Sequence, residues 1–192
     1  MHLKSLAIAA SLAGALIASP AQAGIIFSDN FDADNASSAL NFNSLINWTV
    51  GDGTIDYIRS GGFGISCVGG TGGCLDLDGS TGNAGRITTR QVFDFDDGVQ
   101  YVFELALSGN QRGGASDSVN FGLISEDTGF VSFLTAGPLA PNAPFATFGG
   151  SLMGQDFSGN WRFFIEGVGG DNVGAILDDV VLRDNRATNV PE

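Results

Sequence analysis

The sequence predicts an all-β protein, an antiparallel β-sandwich of the jelly-roll kind. Three observations carry the prediction. Apolar residues recur with a period of two rather than 3.6, most clearly in "VQYVFELAL", where Val99, Tyr101, Phe103, Leu105 and Leu107 alternate with Gln100, Val102, Glu104 and Ala106. After Gly24 no run of ten residues has the pattern of an amphipathic helix. And 29 glycines against 5 prolines concentrate in turn-like clusters such as "VGDG", "DGSTGN" and "SGNQRGGASD". Strands that alternate with one polar face belong to sheets covered on one side, and two such sheets bury their apolar faces against each other.

Taken in order, the candidate strands are "GIIFSDNF", "LINWTV", "TIDYI", "CLDLD", "GRITTRQVF", "VQYVFELAL", "DSVNFGLI", "GFVSFLT", "PFATF", "NWRFFIEGV" and the long "NVGAILDDVVL". "DSVNFGLI" alternates through Val119, Phe121 and Leu123, and "NWRFFIEGV" through Trp161, Phe163 and Ile165. Fifteen phenylalanines and these regular apolar runs argue for a packed core rather than a disordered Gly/Ser-rich chain. "SGNQR" and "SGNWR" share four of five residues, a coincidence between common turn residues.

The first residues read differently. Lys4 precedes an apolar stretch from Leu6 to Ala18, and Ala21-Gln22-Ala23 is a small-x-small cleavage site, the pattern of a secretory signal peptide too short to span a bilayer. The domain boundaries expected are a signal peptide at 1–23, a β-sandwich at 24–184 and a tail at 185–192. Cleavage removes His2 and Lys4, the only histidine and the only lysine. That excludes Ser-His-Asp and Cys-His catalysis and histidine-based zinc sites. A chain with 21 Asp+Glu and a formal charge of −13 has no polybasic surface for nucleic acid or anionic membrane.

Two cysteines, Cys67 and Cys74, flank the glycine-rich "CVGGTGGC"; an even, local pair in an exported chain predicts a disulfide. Acidic residues cluster at Asp29, Asp32 and Asp34, at Asp76 and Asp78, and at Asp178 and Asp179. None has the spacing of an EF-hand, and the first two clusters read as solvated turns. Asp178 and Asp179 lie inside an apolar strand, so one of them is expected to face the core side, where a carboxylate needs a partner or a metal. A glycosidase needs only two carboxyl groups, but the glutamates are few, and Glu104 and Glu166 alternate outward. For sugar stacking, Trp48 and Tyr57 with Arg59 are the candidates, because "NWTVGDGTIDYIRSGG" sets them beside glycine-rich turns; Trp161 shares a face with Phe163 and Ile165 and reads as core.

The opening "DNFD", the run "CLDLDGSTGNAGRITT", the stretch "YVFELALSGNQRGGASDSV" and the strand "GAILDDVVL" resemble, in that order, the ectodomains of secreted bacterial proteins bearing a C-terminal PEP-CTERM sorting signal. They are similar as well to galactose-binding-like jelly rolls, including a plant cell-wall-associated family. On this resemblance the final Val190-Pro191-Glu192 looks like the start of a sorting tail that an exosortase processes. The resemblance implies a non-enzymatic protein exported by signal peptidase to the outer envelope or matrix of a Gram-negative bacterium. It also implies weak binding of extracellular polysaccharide, and a structural calcium joining Asp29 or Asp32 to Asp178 or Asp179. A purely adhesive surface protein is the alternative, and a carboxylate-based glycoside hydrolase the third reading.

Overall fold

The structure, a computed structural model, describes residues 23–187. Residues 1–22 of the predicted signal peptide and the Val190-Pro191-Glu192 end lie outside the described residues. Twelve strands follow one another: β1 (Ala23–Asp29), β2 (Trp48–Gly51), β3 (Asp56–Arg59), β4 (Gly73–Asp76), β5 (Arg86–Thr89), β6 (Phe93–Asp94), β7 (Gln100–Ser108), β8 (Asp117–Ser125), β9 (Val131–Leu139), β10 (Ala146–Met153), β11 (Asn160–Val168) and β12 (Ile176–Ala187). They form two six-stranded antiparallel sheets. The first runs β10-β7-β12-β4-β3 with β1 also on β12; the second runs β2-β5-β11-β8-β9 with β6 on β11. This is the all-β sandwich the alternation predicts. β12 continues to Ala187, three residues beyond the expected boundary.

The core is built from the residues of one parity. Tyr101, Phe103, Leu105 and Leu107 point inward from β7, Val119, Phe121 and Leu123 from β8, and Trp161, Phe163 and Ile165 from β11. Phe103 on one sheet meets Phe121 and Phe163 on the other, with ring centroids 5.7 and 5.4 Å apart. Each such side chain contributes roughly 1.5–3 kcal/mol by leaving water. The outer face of the first sheet carries a smaller apolar cluster of Ile58, Ile65, Ile176 and the Cys67–Cys74 disulfide, with Phe145 packed on it. The glycine-rich loop between the cysteines lies over this face, so that part of the sheet is covered on both sides.

The two lateral openings of the sandwich differ. On the β2/β3 side the 30–47 segment closes the gap: Ala39 bridges Tyr57, and the Phe42 N–H donates to the Ile55 carbonyl at 2.8 Å. On the opposite side, among the described residues, the edge strands β9 and β10 have no further strand beside them. This open edge positions the site described next.

Candidate functional site

The residues chosen from sequence for sugar stacking do not form a site. Trp48 and Tyr57 are both fully buried, at 0% exposure. Trp48 opens β2 with its ring turned inward against Phe27, centroids 5.5 Å apart, and its Nε1–H donates to Asp29 Oδ2 at 2.8 Å. The Tyr57 hydroxyl lies 3.0 Å from the carbonyl oxygens of both Phe31 and Asn35. A buried ring with its polar tip satisfied offers no face to a sugar. Arg59 donates to the Asp32 carbonyl at the surface, 3.0 Å away. Trp161 is core, as its alternation implies.

The predicted metal set is brought together in part. Asp32, Asp178 and Asp179 line one small polar cleft of about 190 Å³ with Asn30 and Thr71. Asp29 is drawn away: its Oδ1 accepts from the Phe31 N–H and its Oδ2 from Asn47 and Trp48. Asp178 is the buried member of its pair and Asp179 the exposed one. The burial is not by the sandwich core, however. β12 bulges between Asp178 and Val181, with Asp179 at φ 44°, and Asp178 shares the outer side with Ile176 beneath the disulfide loop. Its oxygens accept from the Val68 and Asp179 N–H groups, at 2.9 and 2.8 Å. Burial pushes the Asp178 carboxyl up to about 7, with Asp179 and Asp32 adding repulsion; burial and Asp32 raise Asp179 as well. Of the predicted metal set, then, Asp32, Asp178 and Asp179 share one cleft and Asp29 does not. Among the described residues, three ligand-type side chains have donor atoms within 4.8 Å of one another only at Cys67, Cys74 and Asp178, and both sulfurs are spent in the disulfide.

The three glutamates within the described residues, Glu104, Glu126 and Glu166, are paired with Arg183, Arg162 and Arg86 respectively.

The exposed aromatic surface lies instead along the open edge. Phe130 (61% exposed), Phe133 (56%), Leu134 (47%) and Val131 (37%) belong to β9 or the turn before it. Two of them, Phe133 and Leu134, line a cleft of about 320 Å³ between the sheets, floored by Phe103, Phe121 and Leu123, with Gln100, Ser132, Ser151 and Asp156 as polar lining. Gly150 on β10 lets Leu134 and Phe103 pack close against the backbone, since a Cβ there would come within 2.7 Å of Leu134 Cδ1 and 3.0 Å of the Phe103 ring. The whole β9–β10 hairpin is neutral: no charged residue occurs between Asp127 and Asp156. The signal for this surface is legible in "GFVSFLT", where apolar residues occupy both parities. A strand with one face on the core needs only one.

No protein-family model matches the chain, and no curated protein sequence matches it. Solved structures do. The arabinose-bound α-L-arabinofuranosidase MgGH51 superposes with a TM-score of 0.55 at 15% identity, over 82% of this chain and 27% of the other, so this chain spans about a quarter of that enzyme. The CBM22-1 xylan-binding domain of Xyn10C from Paenibacillus barcinonensis gives 0.53 at 14% identity, over 89% of this chain and 100% of the domain. A cyclase from Fischerella sp. TAU gives 0.58 at 13% identity, over 88% and 100%. At these identities the likeness is one of fold: the chain is a jelly-roll β-sandwich of the architecture these proteins share. Chemistry has to be argued from its own side chains.

Proposed function

We propose that this protein is an exported, non-catalytic polysaccharide-binding domain whose ligand lies along the neutral open edge of β9 and β10. One observation carries the reading: a chain of pI about 4.1 presents an uncharged hairpin with four exposed apolar side chains, two of which, Phe133 and Leu134, line a ligand-sized cleft whose one charged lining residue is Asp156. Sugar rings offer apolar C–H faces and hydroxyl rims, and Phe133 beside Ser132, Ser151 and Gln100 meets both. With no cation on the hairpin and strong negative charge elsewhere, the surface selects neutral glycans and repels acidic ones. The xylan-binding domain that shares the fold is consistent with this use of it.

Export is supported by the disulfide, which persists in oxidising compartments, and by the signal-peptide pattern. Delivery to the bacterial surface through a sorting tail belongs to the same proposal, as does a structural calcium at Asp32, Asp178 and Asp179. The same edge suits an adhesive protein that self-associates through β9, since an unpaired apolar edge strand is a template for pairing. A glycan array separates the two readings. Binding to neutral glycans that Phe133→Ala abolishes, by a protein monomeric in sedimentation, supports the first; no glycan signal from a concentration-dependent oligomer supports the second and overturns the first.

A further inference from the structure

A group of carboxylates gathers where the turn after β4 meets the β7–β8 and β11–β12 connections, sharing no residue with the lining of the β9–β10 cleft or of the Asp32/Asp178/Asp179 cleft. Asp76 and Asp78 come from the end of β4 and the turn after it, Asn110 and Arg112 from the β7–β8 connection, Asp117 from the first residue of β8, and Asp171 from the β11–β12 connection. The sequence reading of Asp76 and Asp78 as solvated turn residues is wrong here: they are 0% and 1% exposed, and Asn110 and Asp117 are 1% and 5% exposed.

The hydrogen-bond accounting leaves one oxygen over. Asp76 Oδ1 accepts from the N–H groups of Asp78 and Gly174, at 3.1 and 2.9 Å, and its Oδ2 from Arg112. Asp117 Oδ2 accepts from Asn110 Nδ2 at 2.9 Å. Asp78 Oδ2 accepts from the Asp171 N–H at 3.2 Å. Asp78 Oδ1 is buried and has no donor. A buried carboxylate oxygen left bare is costly, and natural structures nearly always supply it with a donor, a water or an ion.

The surroundings favour a cation. Arg112 is committed to Asp76. Asp117 feels the negative charges of Asp171 and Asp78 as well as the positive charge of Arg112. The β11–β12 loop closes directly over Asp78, since a Cβ on Gly169 would stand 2.6 Å from Asp78 Oδ2. That brings Asp171, whose side chain is exposed, to the mouth of the site.

We propose that Asp78 Oδ1 anchors a divalent-cation site of hard oxygen ligands, suited to calcium, with Asp117 and Asp171 supplying further charge. The donors are carboxylates, without sulfur or imidazole, which selects calcium over zinc or copper. Because Asp171 has to turn in to complete the shell, the affinity falls in the weak range of extracellular modules, Kd about 10⁻⁴–10⁻³ M. The ion would tie together the β4 turn, the β7–β8 loop and the β11–β12 loop.

The test is a calcium chloride titration of the ¹⁵N-labelled mature domain at constant ionic strength, with Asp32→Ala as the background that removes a ligand of the other cleft. The expected result is saturable movement of the amides of 78–82, 113–117 and 169–174 with one common Kd. It should persist in Asp32→Ala, be lost in Asp78→Asn, and be weakened about tenfold in Asp171→Asn, whose exposed position leaves folding intact. Amides at these three loops that stay still or drift without saturating would overturn the site. So would an Asp171→Asn protein that titrates like the wild type.

Discussion

Replacing Trp48 separates the structure from the simpler reading of its sequence. The indole is fully buried, packs edge-on against Phe27, and donates to Asp29, whose Oδ2 then keeps only Asn47. Trp48→Ala removes one of the largest buried side chains, a loss of about 3–5 kcal/mol. For a domain of this size that lowers Tm by roughly 6–20 °C. Trp48→Phe keeps much of the ring volume but deletes the N–H donor, and a hydrogen bond to a charged acceptor is worth about 1.5–3 kcal/mol. The assay is urea denaturation of the mature domain followed by the fluorescence of Trp161, the other tryptophan, with polysaccharide retention measured well below the transition. The expected outcome is that Trp48→Ala and Trp48→Phe are destabilised in that order while retention of the folded fraction is unchanged. A Trp48→Ala protein as stable as the wild type but no longer retained would show that the ring faces solvent, and would refute the placement of the site on β9.

Three further outcomes are expected. Reducing the Cys67–Cys74 disulfide, which closes a short loop of sequence separation 7, should cost about 2.5 kcal/mol, read as a lower urea midpoint in dithiothreitol. In EGTA, stability should fall as pH rises from about 4 towards 7, because burial raises the folded-state carboxyls of Asp76 to about 6 and Asp178 to about 7, so the folded state holds protons the unfolded chain releases. Asp178→Asn should flatten the upper part of that slope; a profile with the opposite sign contradicts the burial of these groups. Millimolar calcium at pH 7 should raise Tm by several degrees, and Asp179→Ala should reduce the gain without abolishing it, since the Asp78 site persists.

How far the sequence could be read depended on the range of the interaction. Strands β7, β8 and β11 were legible because nine residues of alternation fix a face, and the disulfide because its partners are neighbours. Trp48 was misplaced because β2 has four residues, too few to show a period, and the nearby glycines speak of the backbone turn rather than of where a ring points. Tyr57 was misplaced for the same reason on β3. The bulge at Asp179 shifts register by one residue, which no apolar count over "LDDVV" reveals. The carboxylate group at Asp78 draws on three segments far apart in the chain, so its burial belongs to the topology. The neutral β9–β10 hairpin, by contrast, is legible: charge is absent from Thr128 to Gln155 in an otherwise acidic chain, and its exposed rings are phenylalanines rather than tryptophan or tyrosine.

The most direct test of the central claim is affinity electrophoresis of the wild type and of Phe133→Ala in native gels containing a neutral polysaccharide such as xylan, a neutral β-glucan, or an acidic one such as polygalacturonate. Retardation by at least one neutral polymer, none by the acidic polymer, and recovery of free mobility in Phe133→Ala with an unchanged Tm is the expected pattern. Retardation that survives Phe133→Ala, or that appears only with the acidic polymer, contradicts it.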